Sequence, residues 1–295
     1  MRSKAHRAAA REAGRREQWR RGDYSPEDLA AALVAGGMAG PVVSHDRTNV
    51  RWKIAQFASG DTKAQFGISG LGAVTEGEVM DLMAGAAGFD PASTEAAVPV
   101  DPAYVLPRLA EAGERLADAA ARRSRVLLAT GHPVGLVQLY GAVGELLVEH
   151  GARLTRPLEG VGWRDVGRWR QIRYVNGVAM LTDRGSAMHT HSAGPMRRML
   201  EAAAGSGERP DLVFADHGFA GAAIEEGIET ISIADVNDPA PVVAAALGKT
   251  RTVIVMDDNV EPGDYWPCYQ AIAARFPAPS SPAAGERAAP PAPRA

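Results

Sequence analysis

The sequence predicts an α/β fold: a doubly wound, mainly parallel sheet with helices on both faces and a β-hairpin insertion. Three short apolar runs, at 212–215, 231–234 and 253–256, lead to this prediction because each ends in polar residues. Apolar runs of this length followed by turn residues are typical of buried strands. Parallel strands bring their carboxyl ends to one edge of the sheet, so the polar residues should meet where open α/β sheets hold ligands.

The polar clusters after these runs contain mostly carboxylate and amide side chains. Carboxylates crowded at one edge are unfavourable unless they bind a cation or a polar substrate. Magnesium and manganese prefer oxygen ligands, so one of these divalent ions is the predicted cofactor. The predicted metal ligands are Asp216, Asp235, Asp257, Asp258 and Asn259, and Asn237 is predicted to bind substrate.

The composition predicts one folded domain between two irregular ends. A chain of 295 residues with 46% hydrophobic and 23% charged residues is long enough for one large α/β domain, which we place at 24–276. Residues 1–23 are basic and poor in apolar side chains, which predicts a disordered or helical arm. Residues 277–295 are rich in Pro and Ala, which predicts a disordered tail.

Charge and cysteine content limit the partners and the compartment. The net charge of -3 argues against a nucleic-acid partner, and no apolar run is long enough to span a membrane. The basic N-terminus lacks the apolar core of a secretory signal. Cys268 is the only cysteine, so no disulfide can form within the chain, which suits a reducing cytoplasm. The sequence thus predicts a cytoplasmic protein and leaves its oligomeric state open.

Helices are predicted at 26–39, 76–89 and 102–122, and a polar loop follows the first of them. The loop carries Arg47, Asn49 and Arg51. Because guanidinium groups match phosphate geometry with paired bonds, Arg47 and Arg51 are predicted to hold a phosphate group of the substrate together with Asn49. The alternative is a surface loop with local ion pairs.

A strand, a turn and a helix are predicted between Arg125 and His150. The strand at 126–129 leads into a turn at 130–135, and the helix at 136–149 begins a βαβ unit. The turn lacks the P-loop pattern, but Thr130 and Gly131 lie where backbone amides at a helix start hold an anion. His132 follows the end of the strand, which is a position typical of an active site.

The stretch 159–183 is predicted to form a β-hairpin around Asn176 and Gly177, a strong two-residue turn signal. Its arginines make it basic: Arg164, Arg168, Arg170 and Arg173. The hairpin either covers the site as a lid that supplies positive charge, or it forms an edge whose charges prevent aggregation. The sequence does not favour one of these alternatives over the other.

Two histidines, His189 and His191, precede a helix predicted at 195–204. Side chains at i and i+2 point to the same side only in an extended segment. Such a pair ligates a metal when neutral, or binds a phosphoryl oxygen when protonated. We predict that His189 and His191 bind substrate, while His132, His217 and Asp258 are catalytic.

Several long motifs occur in a fixed order along the chain. They are ATGHPVGL, MHTHSAGPM, PDLVFADHGFAGAA, ADVNDPA and DDNVEPGDYWP. This set resembles a family of phosphatases found mainly in actinobacteria, and the resemblance covers about residues 30–275. It implies hydrolysis of phosphate monoesters and a small phosphorylated substrate. Phe219 and Val236 stand where the family usually has Trp and Cys, and neither is a predicted ligand.

The predicted reaction is hydrolysis of a phosphate monoester of a small polar metabolite, of the sugar or nucleotide phosphate type, by metal-assisted attack of water. Direct attack is favoured because the chain has no Asp-x-Asp-x-Thr/Val, Cys-x5-Arg or Arg-His-Gly signature of enzymes that form a phosphorylated intermediate. One alternative is another metal-dependent hydrolase, acting on an amide or a nucleoside. The other is a non-catalytic protein that binds a phosphorylated ligand.

Overall fold

The computed structural model describes residues 17–72 and 74–278. The predicted tail lies outside the described residues except for 277 and 278, and so does the predicted arm up to residue 16. The rest of the arm packs against the C-terminal helix. The Trp19 and Tyr269 ring centroids lie 5.7 Å apart, and the Gln270 side-chain amide donates to the Gln18 carbonyl at 2.7 Å. Residues 17–23 are therefore held by the folded part of the chain.

The helices α1 (Pro26–Ala35), α2 (Arg47–Ala58), α3 (Glu76–Ala87) and α4 (Pro102–Ala121) precede the sheet. Each begins after an Asp, Ser or Thr whose side chain accepts a hydrogen bond from a backbone N–H of the first turn. For α2 this residue is Asp46, which accepts from the Asn49 backbone N–H at 2.8 Å. The predicted loop is therefore wrong, because Arg47, Asn49 and Arg51 lie in the first turns of α2.

The sheet contains the strands β1 (Arg125–Thr130), β2 (Arg153–Leu154), β3 (Gly162–Asp165), β4 (Arg168–Val175), β5 (Val178–Asp183), β6 (Ser186–Ala187), β7 (Leu212–Asp216), β8 (Glu229–Ala234) and β9 (Thr252–Val255). Five of them run parallel to one another in the spatial order β5, β1, β7, β8 and β9, and the short β2 also pairs in parallel with β1. Antiparallel pairing adds β4, β3 and β6 on the β5 side. This confirms the predicted mainly parallel sheet.

Helices cover both faces of the sheet, because successive residues of a strand point to opposite sides. Val126 and Leu128 of β1 pack into a core with α4, α5 (Val137–Glu149), α8 (Pro239–Ala246) and α9 (Trp266–Ala273). Leu127 and Ala129 pack on the other face against α6 (Gly194–Gly205) and α7 (His217–Glu225). This two-sided arrangement is the predicted one. Within the described ranges, no helix has the length and apolar character needed to cross a membrane.

The predicted hairpin is present as β4 and β5. Asn176 and Gly177 join them with φ values of 48 and 80, the positive values that a two-residue hairpin turn of this kind requires. Its second strand, β5, pairs in parallel with β1, so the hairpin extends the sheet. Arg170 forms an ion pair with Asp183 at 2.8 Å, and β3 lies outside β4 in the strand order.

The strand order creates a crevice beside β1. From β1 the chain continues to β5 on one side, and it then returns to β7 on the other side. Open α/β sheets bind ligands outside the carboxyl ends of their strands at such a reversal of strand order. His132 follows β1 and His217 follows β7, so both histidines lie at this reversal.

Candidate active site

A cavity of about 220 Å³ lies at the carboxyl ends of the parallel strands. Its lining includes five of the seven histidines in the sequence. A cavity of about 500 Å³ lies at the opposite ends of β8 and β9, and no histidine lines it. Titratable side chains concentrated in one cleft are typical of a functional site, so the smaller cavity is the candidate. It is lined by His45, Asn49, Lys53, His132, His189, His191, His217, Asp235, Asn237, Asp238, Asp258 and Asn259.

A strained turn between β7 and α7 directs His217 into this cavity. Its φ of 47 lies in the left-handed region, which is uncommon for a residue with a side chain and is frequent at functional sites. The next residue, Gly218, has no room for a β-carbon, which would lie only 2.4 Å from the His191 carbonyl oxygen. The glycine therefore allows the chain around His191 to pack directly on the start of α7.

Both ring nitrogens of the buried His217 face carboxylates. Nδ1 lies 2.8 Å from Oδ2 of Asp216, an oxygen that also accepts the backbone N–H of Gly131 at 2.9 Å. Nε2 lies 3.3 Å from Oδ2 of Asp238 and 3.5 Å from Oδ2 of Asp258. Asp216 thus fixes the orientation of the ring and leaves Nε2 facing the cavity, as carboxylates do for metal-binding histidines.

Further histidines surround His217. His132 stacks on His189 with ring centroids 4.6 Å apart, and its Nδ1 lies 3.1 Å from Oδ1 of Asp258. The Nε2 atoms of His189 and His191 lie 3.1 Å apart. Two imidazole nitrogens this close need a proton or a cation between them, because two facing lone pairs repel each other.

Burial and nearby charges separate the pKa values of these histidines. Burial lowers the pKa of His191 to about 3 and also lowers the pKa of His189, which favours the neutral form of both imidazoles. Burial opposes protonation of His217 as well, but the carboxylates of Asp258 and Asp238 outweigh it and raise the pKa well above its usual value. The pKa of His132 is raised against burial by Asp258. The cavity therefore combines imidazoles that favour the neutral form, at His189 and His191, with carboxylates that favour a positive charge at Nε2 of His217, either a proton or a metal ion.

The opposite wall of the cavity comes from α2 and from the segment after β8. The Asn237 amide donates to Oδ1 of Asn49 at 2.7 Å, and Lys53 lies one turn further along α2. Burial raises the pKa of Asp235 to about 7, and a bond to Asp235 raises that of His45, whose Nε2 lies 3.2 Å from Oδ2 of Asp235. This wall presents amide, amino and imidazole donors to the cavity.

Many of the predicted site residues line this one cavity. They are Asn49, His132, His189, His191, His217, Asp235, Asn237, Asp258 and Asn259. The geometry brings them together because they follow β1, β6, β7, β8 and β9 or lie on the first turn of α2.

The structure places Arg47 and Arg51, the predicted phosphate clamp, outside the lining of this cavity. Arg47 is buried, and its Nε donates to the Glu95 carbonyl oxygen at 2.9 Å. Arg51 is exposed, and neither arginine lines the cavity. The physical reason is the helix period, since residues two positions from Asn49 on α2 point away from the face that Asn49 occupies.

Four other predicted residues support the site from outside the cavity lining. Asp257 accepts the backbone N–H groups of Ser44 at 2.6 Å and Asn259 at 2.9 Å, and Asp216 holds His217; neither of these two predicted metal ligands lines the cavity. The Thr130 hydroxyl accepts the His132 backbone N–H, and the Gly131 N–H donates to Asp216 instead of facing an anion. The hairpin at 159–183 contributes no residue to the cavity lining, which favours the edge alternative over the lid.

Three lining residues are absent from the predicted set: His45, Lys53 and Asp238. Lys53 could have been found from the sequence, because it lies four positions after Asn49 and such residues share a helix face. Asp238 follows Asp235 and Asn237 in the same polar cluster. His45 has no such signal, because it contacts Asp235, a residue far away in the chain.

Two groups of side chains can each converge on a metal ion. One is His189, His191 and His217, and the other is His217, Asp238 and Asp258; within each group the ligand atoms lie within 4.8 Å of one another. Oδ2 of Asp258 is buried and has no hydrogen-bond donor in the described part of the chain. A buried carboxylate oxygen without a donor favours a cation beside it. The donors present, a mixture of imidazole nitrogen and carboxylate oxygen, therefore fit a divalent metal ion.

Comparison with known proteins agrees with the chemistry of this cavity. The model of a protein family described as "Phosphatase" matches residues 24–277. The chain belongs to this phosphatase family. "Phosphatase SCO2771" from Streptomyces coelicolor is 32% identical over 249 residues, which cover 83% of this chain and 93% of that protein. No solved structure matches the chain significantly. The family and the relative's name support phosphatase activity, and the predicted family is confirmed.

Proposed function

We propose that this phosphatase hydrolyses phosphate monoesters of small polar metabolites with the help of a divalent metal ion. One observation carries the proposal: five histidines and three buried carboxylates converge on a single cavity where the strand order reverses. Phosphoester hydrolysis needs positive charge at the phosphoryl oxygens, an oriented water and a proton for the leaving group. The side chains of the cavity offer a group for each of these needs.

The metal would be held around Nε2 of His217, by Asp238 and Asp258 or by His189 and His191. When bound there, a divalent ion supplies positive charge to the phosphoryl oxygens and makes a neighbouring water more acidic. Asp216 keeps the His217 ring in its orientation through the 2.8 Å contact at Nδ1. Manganese is the proposed ion because the donors mix imidazole with carboxylate.

The wall formed by α2 would bind the phosphoryl group. Lys53 provides an ammonium group, and Asn49 and Asn237 provide amide groups already linked by a 2.7 Å hydrogen bond. Lysine binds phosphate as a compact charge, while amides fix its orientation. These three residues take the role that the sequence had suggested for Arg47 and Arg51.

His132 is the proposed general acid for the leaving oxygen. Its Nδ1 contacts Asp258 at 3.1 Å, and this carboxylate raises its pKa, so the imidazole can carry a proton and donate it from Nε2. The same contact with Asp258 orients the ring. Asp258 therefore links the proton donor to the metal-binding group.

Water, rather than a side chain, is the proposed nucleophile. Cys268 is buried between the sulfur atoms of Met38 and Met256, burial raises its pKa, and it does not line the cavity. The volume of about 220 Å³ is smaller than the roughly 300–1,000 Å³ of typical ligand pockets. It suits a phosphoryl group with a few adjoining atoms, so the rest of the substrate would lie outside it.

The proposal is tested by phosphate release from a panel of phosphate monoesters, with p-nitrophenyl phosphate as the generic substrate. We expect release that falls to background in EDTA and returns when manganese is added in excess. EDTA already saturated with manganese is the matched control and should not inhibit. Full activity after exhaustive chelation would remove the metal from the reaction, and tight ligand binding without any phosphate release would remove hydrolysis itself.

A further inference from the structure

We propose that a groove beside the catalytic cavity binds an anionic group on the leaving-group side of the substrate. This inference rests on the proposed function and narrows its substrate class to small phosphate monoesters whose alcohol part carries a carboxylate or a second phosphate. The groove has a volume of about 600 Å³, and the His191 imidazole lines both the groove and the catalytic cavity. A substrate held at His191 can therefore extend from one into the other.

The groove lies between the loop at 61–69 and the start of α6. Lys63 and Arg197 carry positive charge on its lining, and Glu225 carries the negative charge. Glu225 is already engaged by Ser69, whose backbone N–H and hydroxyl donate to it at 2.8 and 2.6 Å. The exposed Lys63 ammonium forms no ion pair within residues 17–72 and 74–278. The lining thus has a net positive charge that suits an anion.

The loop that carries Lys63 is fixed relative to the catalytic histidines. Arg197 donates to the Gly67 carbonyl at 2.7 Å and ties the loop to α6. The buried Phe66 ring meets His191 and His217 edge-on, with centroid distances of 5.4 and 5.6 Å. Because Phe66 and Lys63 belong to the same loop, the backbone that carries Lys63 is held beside the cavity.

This arrangement explains how a small cavity would select a substrate. The catalytic cavity has room for the phosphoryl group, and its donors recognise any phosphate monoester. Discrimination between esters must then come from contacts to the alcohol part. A groove with a cationic lining favours alcohols that carry negative charge over neutral alcohols of the same size.

Two esters of similar size test the proposal: glycerol 3-phosphate, with a neutral alcohol part, and 3-phosphoglycerate, with a carboxylate. We expect a higher kcat/KM for 3-phosphoglycerate. Lys63→Glu should reduce that value roughly tenfold, with little change for glycerol 3-phosphate, because like charges replace opposite ones. Arg251→Glu is the matched control, since it makes the same charge change on an exposed residue at the opposite edge of the sheet.

Calorimetric binding of the same two esters keeps this test separate from that of hydrolysis. Preferential binding of 3-phosphoglycerate that Lys63→Glu abolishes supports the groove even if neither ester is hydrolysed, an outcome that would count against the proposed function alone. Equal affinity and equal kcat/KM for the two esters in the wild type would overturn the groove. An equal effect of Lys63→Glu on both esters would overturn it as well.

Discussion

Replacing His217 with asparagine is expected to lower kcat for phosphate monoesters by roughly 10²–10⁴, the range for loss of a group central to catalysis. Nε2 of His217 faces Asp238 and Asp258, and His217 belongs to both candidate metal groups. Asparagine is chosen because it tolerates the positive φ at this position and can still donate to Asp216. The measurement is steady-state turnover with saturating manganese.

The fold of the His217→Asn variant is checked by circular dichroism and by its thermal midpoint. A buried carboxylate that loses its partner is destabilising, and the asparagine amide limits that loss at Asp216. Wild-type turnover in a folded variant would mean that His217 is structural and that the site must be assigned to other groups.

Replacing Asp258 with asparagine should have an effect of similar size, a loss of about 10² or more in kcat, because two functions depend on one carboxylate. Oδ1 contacts His132 and supports its raised pKa, while the buried Oδ2 faces His217 and has no donor among the described residues. The variant should also bind manganese more weakly. A calorimetric titration and kcat at increasing manganese concentration measure these two losses separately.

The neighbouring Asp257 gives a matched control. Its oxygens accept backbone N–H groups from Ser44 and Asn259, so Asp257→Asn should lower the thermal midpoint and leave kcat nearly unchanged. Asp258→Asn should instead lower kcat and leave the thermal midpoint nearly unchanged. If the two substitutions exchange these effects, the roles of the adjacent carboxylates have been assigned in the wrong order.

The sequence is most informative where chain order and local pattern decide the structure. Short apolar runs followed by polar residues identify β1, β7, β8 and β9, because a buried parallel strand has few alternatives. The same logic brings His132 and His217 to the strand ends. It cannot distinguish Asp216 from His217 as the residue that faces the cavity, because that depends on the strained turn at which α7 begins.

The α2 wall shows where sequence reasoning is insufficient. Arg47 and Arg51 have suitable chemistry for phosphate, but the sequence predicts them on a loop. The cap formed by Asp46 instead starts α2 at Arg47. The helix period then presents Asn49 and Lys53 instead. His45 enters the site only through its contact with Asp235, a residue far away in the chain, and such a contact carries no local signal.

The central claim is that His217 and the carboxylates beside it hold a divalent metal in a phosphatase site. Anomalous diffraction at the manganese edge, from crystals grown with manganese chloride, tests it most directly. We expect one strong peak at about 2.0–2.6 Å from Nε2 of His217 and from ligand atoms of Asp238 and Asp258 or of His189 and His191. A cavity without an anomalous peak, in protein that hydrolyses phosphate monoesters under the same conditions, would contradict the claim.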